Sequence, residues 1–90
     1  MNIKIEKSFD KDIDKIDNKK ILLNLKDVIT KIKNVKNQFG LSDIKKITGY
    51  QSYYRIRIGD YRLGVEIIDE EIILLRFLHR KDIYKFFPIK

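Results

Sequence analysis

The sequence predicts an α+β domain with helices first and strands after. Three observations carry the prediction. Apolar residues recur at helical spacing through the first third of the chain, the period changes to two after Gly49, and two short turns, Gly59-Asp60 and Asp69-Glu70, divide the remainder into three strands. Elements in that order stack a helix pair on one face of a twisted, mainly antiparallel sheet and leave the other face open.

Each element follows from local chemistry. Asn2 to Glu6 alternates Ile3 and Ile5 with polar residues, as a short strand does. Ser8 is placed to cap a helix over Phe9 to Ile16, with Asp10 and Asp12 in the first turn, where the positive end of the helix dipole favours them. Phe9, Ile13 and Ile16 then share a face. From Asn18 to Asn37, Ile21, Leu25, Val28, Ile32 and Val35 form a second stripe, widened by Leu22 and Ile29, and Gly40 stands beyond it as a stop. In the first meander strand, Tyr53 to Ile58, alternation points Tyr53, Arg55 and Arg57 one way and Tyr54, Ile56 and Ile58 the other. The strands Tyr61 to Ile68 and Glu71 to Leu78 follow, and the apolar run Ile72 to Leu75 marks the last as an interior strand. Arg76 is expected to pair with Glu66 or Glu71 on a neighbouring strand.

Ninety residues, 43% hydrophobic and 37% charged, make one folded domain, residues 1–90, and no continuous apolar span for a bilayer. With no cysteine and one histidine, a disulfide framework and an all-protein zinc site are not expected, and no metal or cofactor is expected. The N-terminus has no apolar leader, so a cytoplasmic location is expected. The net charge of +7 favours a polyanionic partner and the lysines of the first half read as a solvated helix surface.

The arginines are distributed differently from the lysines. All five lie between Arg55 and Arg80, whereas the first fifty residues carry twelve lysines and no arginine. A guanidinium is a planar, permanently charged fork that grips phosphate oxygens in pairs, and an ammonium is a point charge. A phosphate-handling surface on the second half of the chain is the expectation.

The ordered set Tyr-Arg-Ile-Arg, Gly-Asp-Tyr-Arg, a hydrophobic strand, then His-Arg-Lys-Asp-Ile-Tyr resembles the RelE/ParE superfamily of toxins from prokaryotic type II toxin–antitoxin pairs. The resemblance spans nearly the whole chain and is specific from Arg55 to Tyr84. It implies the RelE-like fold, with a short C-terminal helix starting near Lys81 and ending by Pro88. It also implies a ribosome-dependent mRNA interferase, in which the ribose 2′-hydroxyl attacks the adjacent phosphate without a metal. By matching positions, Arg57 and Arg62 resemble the groups that stabilise the phosphorane, and Arg80 the group serving the leaving 5′-oxygen. Tyr84 resembles the aromatic that orients the nucleotide or the 2′-hydroxyl, and Arg55 and Lys81 the RNA contacts. The implied partners are a cognate antitoxin, forming a hetero-oligomer, together with mRNA and the ribosome.

The proton acceptor is the open position. Where the best-known members carry lysines on the first meander strand this chain has Arg55 and Arg57, and a guanidinium cannot readily accept a proton at neutral pH. His79 comes first among the remaining candidates, ahead of Tyr84 and Glu66. Two alternatives stay open: the ParE branch, which inhibits DNA gyrase, and a degenerate module that binds antitoxin or RNA without cleaving. Each arginine also has a plain reading as the polar face of a half-exposed strand, and His79 one as a structural histidine. Tyr50, Tyr53, Tyr54 and Tyr61 read as core or cross-strand partners, and Phe86, Phe87 and Pro88 as the seal of the tail.

Overall fold

The computed structural model describes residues 1–88, so the last two positions of the expected domain lie outside it. The elements run β1 (Asn2–Ile5), α1 (Lys7–Asp14), α2 (Lys19–Asn34), β2 (Ile44–Lys46), β3 (Tyr53–Ile58), β4 (Tyr61–Ile68), β5 (Glu71–His79) and α3 (Ile83–Phe86). One sheet has the order β1-β5-β4-β3-β2, antiparallel throughout except for the parallel pair β1 and β5. The three-strand meander is as expected, and β5 is an interior strand with a neighbour on each side.

Alternation sorts the sheet into two faces. Ile56 and Ile58 of β3, Leu63 and Val65 of β4, and Leu74 and Phe77 of β5 are buried against Ile21, Leu25 and Ile32 of α2. Burying each such side chain contributes about 1.5–3 kcal/mol, which outweighs the weak β-pairing energy in fixing the register. Asn18 starts α2 by accepting the Ile21 N–H at 3.2 Å, a cap typically worth about 1 kcal/mol.

Four expectations are corrected. Ser8 does not cap α1; the helix begins at Lys7, with Glu6 in the extended cap position. β1 pairs with β5 only as far as Leu74, and the register passes from Val65–Leu74 to Gly64–Arg76, leaving Leu75 as the extra residue of a bulge. The Ser8 hydroxyl donates to the Leu75 carbonyl at 2.6 Å, so it satisfies the open edge of the sheet rather than its own helix. Asp12 does not serve the dipole either: it is 4% exposed and accepts the Phe77 N–H at 2.9 Å on that same edge. Arg76 pairs with this Asp12, not with Glu66 or Glu71, through Nε at 2.8 Å and Nη2 at 2.9 Å. Finally, α2 stops at Asn34, because Val35 turns extended and the Asn37 side chain caps a separate 3-10 turn, Gln38–Gly40, by accepting the Phe39 N–H at 3.0 Å.

The tail closes over the sheet face that lacks the large helix. Ile83 and Phe87 are buried, and Phe87 lies where a side chain at Gly64 would stand: a Cβ there would fall 2.8 Å from its ring. Tyr53 meets the same ring edge-on at a centroid separation of 5.6 Å. Glycine in the middle of β4 thus seats α3 on this face.

Candidate active site

On the face opposite α2, the register sets like charges directly against each other. Lys45 lies opposite Arg55, and Arg57 opposite Arg62. Facing like charges destabilise a strand pair, by up to about 1 kcal/mol each, so a fold under no other demand would avoid them. Each guanidinium is held by a separate device. Arg57 donates from Nη2 to Asp43 Oδ1 at 3.1 Å. Arg62 donates from Nη1 to the carbonyls of Gly59 at 3.0 Å and Tyr61 at 2.9 Å, which ties it to the β3–β4 turn. The Arg55 guanidinium stands over the Tyr84 ring, 4.5 Å from its centroid.

These residues line a pocket of about 430 Å³, walled by Asp43, Ile44, Lys45, Arg55, Arg57, Arg62 and Tyr84. Four cations face one carboxylate, and the phenol of Tyr84, 68% exposed, stands at the rim. Such a pocket can bind phosphate and stabilise negative charge that develops on it.

The sequence-predicted site is partly assembled. Arg55, Arg57, Arg62 and Tyr84 come together in the pocket. Arg80 and Lys81 are exposed in the turn after β5, outside the pocket lining; the Arg80 N–H donates to the Asp60 carbonyl at 2.7 Å. His79 is on the helix-facing side. It lies directly opposite Tyr61, whose ring stacks on buried Phe77, and it meets Tyr61 edge-on at 5.5 Å. Its Nδ1 accepts the Lys81 N–H at 3.1 Å. Glu66 is on the pocket face but accepts the Ser52 hydroxyl at 2.9 Å and does not line the pocket.

Two charged lining residues are not foreseen from the sequence, Asp43 and Lys45. Both belong to the short edge strand β2 or its approach, and a three-residue strand is too short to show a period. Among the described residues no group of three or more histidine, aspartate or glutamate side chains could hold a metal ion, and no helix is long and apolar enough to cross a membrane.

Comparison with known proteins bears on the family and the fold. The family model for the ParE toxin of the type II toxin–antitoxin system, parDE, matches residues 3–84. Toxin RelE3 of Methanocaldococcus jannaschii is 61% identical over 46 residues, which are 51% of this chain and 52% of that relative, so the match spans about half the length of the curated protein. Among solved structures, a chain of the RelB–RelE antitoxin–toxin complex from Methanococcus jannaschii is 43% identical with a TM-score of 0.80, covering 94% of this chain and 99% of that one. The YoeB dimer from Staphylococcus aureus, 19% identical with a TM-score of 0.71 over 88% of this chain and 95% of that one, shares the fold. The resemblance carried by Arg55 to Tyr84 therefore holds across the domain: this chain belongs to the ParE toxin family of type II toxin–antitoxin systems, within the RelE/ParE superfamily.

Proposed function

We propose that this toxin is a metal-independent endoribonuclease that cleaves mRNA on the ribosome and so stops protein synthesis. The observation that carries the reading is the pair of like-charged cross-strand contacts, Lys45 with Arg55 and Arg57 with Arg62, gathered around one pocket with Tyr84 at its rim. Arrangements that lower stability and concentrate charge are expected where a substrate supplies the missing counter-charge.

In this reading the 2′-oxygen attacks the adjacent phosphorus, and the phosphorane that forms gains negative charge among Arg57, Arg62 and Lys45. Preorganised donors of this kind are typically worth ~10²- to 10³-fold each in rate. Arg55 holds the Tyr84 ring in place for stacking on a base. Arg80 and Lys81, exposed beyond the pocket, contact the RNA backbone further along. His79, on the other face, has no part in bond making. A cognate antitoxin, bound as a hetero-oligomer, neutralises the toxin; the RelB–RelE complex formed by a 43% identical relative supports this partner.

The test is a cell-free translation reaction containing antitoxin-free toxin, with new mRNA 5′ ends mapped by primer extension. Cuts within the reading frame that require ribosomes are expected. A second reading, inhibition of DNA gyrase, is favoured by the ParE family match over residues 3–84. It takes over if no cuts form with or without ribosomes and a supercoiling assay is inhibited.

A further inference from the structure

We infer that Asp43 is the catalytic base of this site, the group that takes the proton from the 2′-hydroxyl. The inference rests on the ribonuclease reading above and deepens it. The pocket holds a single carboxylate. Its ionisable lining groups are three guanidiniums, one ammonium, one phenol and one carboxylate. Of these side-chain types, only the carboxylate is an unprotonated acceptor at neutral pH, since the reference pKa values of the others are about 10 or above. Of the three candidates from the sequence, Tyr84 is the phenol of this lining and the other two lie elsewhere: His79 is across the sheet with Tyr61, and Glu66 is engaged by Ser52 outside the pocket lining.

Asp43 is also held as a base should be. Its backbone carbonyl accepts the Arg57 N–H at 2.9 Å, and its Oδ1 accepts from the Arg57 guanidinium at 3.1 Å. Main chain and side chain are thus fixed to the same residue of β3. Oδ2 has no hydrogen bond among the described residues, and the side chain is 51% exposed, so a nucleotide can reach it. Residue 43 sits at φ 57°, a left-handed conformation uncommon outside glycine but tolerated by aspartate and asparagine. A carboxylate there costs backbone energy and lies among cations that bind the same phosphate it would repel. Both features are expected of a residue retained for chemistry.

The step balances without another reactant than water. Asp43 removes the 2′-hydroxyl proton as the 2′-oxygen bonds to phosphorus. The bond from phosphorus to the 5′-oxygen breaks, that oxygen takes a proton from water, and Asp43 returns its proton to the hydroxide left behind. The products are a 2′,3′-cyclic phosphate and a 5′-hydroxyl end.

Asp43→Asn tests this, because asparagine keeps the size, the Arg57 hydrogen bond and the tolerance of φ 57°. Asp43→Gly, at ease in the same backbone conformation, is the second variant. Single-turnover cleavage is measured on programmed ribosomes at saturating toxin, beside affinity for the same ribosomes and thermal unfolding of the free protein. The expected result is a rate lower by ~10²- to 10⁴-fold in both variants, the usual worth of general base catalysis, with binding unchanged or tighter because a negative charge has left the pocket. Near-parental cleavage by either variant, beside an active parent, overturns the assignment and leaves the ribonuclease reading intact. Rate, affinity and unfolding temperature falling together would make Asp43 structural and overturn it equally. A parent that makes no cuts overturns both readings.

Discussion

Asp12 and Arg76 are joined fork to fork, carboxylate to guanidinium, with Asp12 buried and the third hydrogen bond of its carboxylate reserved for the Phe77 N–H. The pair crosses from α1 to β5, and the other side of Arg76 stands over the Phe86 ring at 5.4 Å. One guanidinium therefore connects the first helix to the tail that carries Tyr84.

Removing half of such a pair strands the other half. Asp12→Ala leaves the Arg76 charge and the Phe77 N–H without their acceptor, and losing one partner of a buried pair typically costs about 3–5 kcal/mol. Urea unfolding should show a loss of that order. Replacing both partners, as in Asp12→Leu with Arg76→Met, should cost less than Asp12→Ala alone, because no charge is left uncompensated.

Gly64→Ala should loosen the tail. The added Cβ would fall 2.8 Å from the Phe87 ring, and overpacking of this kind costs about 1–3 kcal/mol. Hydrogen exchange should rise across residues 83–87 more than in β3 or β4. In a Phe87→Ala background the same Gly64→Ala change should cost less than it does in the parent, since the collision is then gone.

What was legible in the sequence divides along physical lines. The pocket-facing alternation of Arg55 and Arg57 was readable because a period of two survives within a single strand. The side taken by His79 was not, since it depends on the register that sets Arg62 against Leu78 and Tyr61 against His79, and register is a property of two strands. The partner of Arg76 was hidden for a related reason: Asp12 is 64 residues away and becomes an edge cap only because β1 stops pairing at Leu74. β2 escaped because three residues show no period, and with it went Asp43 and Lys45.

The Arg55 contact predicts how Tyr84 works. If the ring serves to stack and orient a base, Tyr84→Phe should keep both the cation–π contact and most of the cleavage rate. Tyr84→Ala should weaken RNA binding by the ~1–3 kcal/mol typical of a lost base stack. Equal losses from both substitutions would point to the hydroxyl instead and assign Tyr84 a polar role.

The like-charged strand pairs predict a trade between stability and affinity. Lys45→Thr removes the charge facing Arg55 and places a good strand former on β2, so the free protein should gain a few tenths of a kcal/mol. RNA binding should move the opposite way. With about four phosphate contacts to single-stranded RNA, log K for the parent should fall by roughly 3 per decade of salt, and each lost contact should reduce that slope by about 0.7. Arg62→Gln should show the same reduction and, on the ribonuclease proposal, also relieve growth inhibition, because its guanidinium lines the same pocket. If the slope stays at the parental value in both variants, the phosphates do not enter this pocket, and the unfavourable facing of Arg57 with Arg62 needs another explanation.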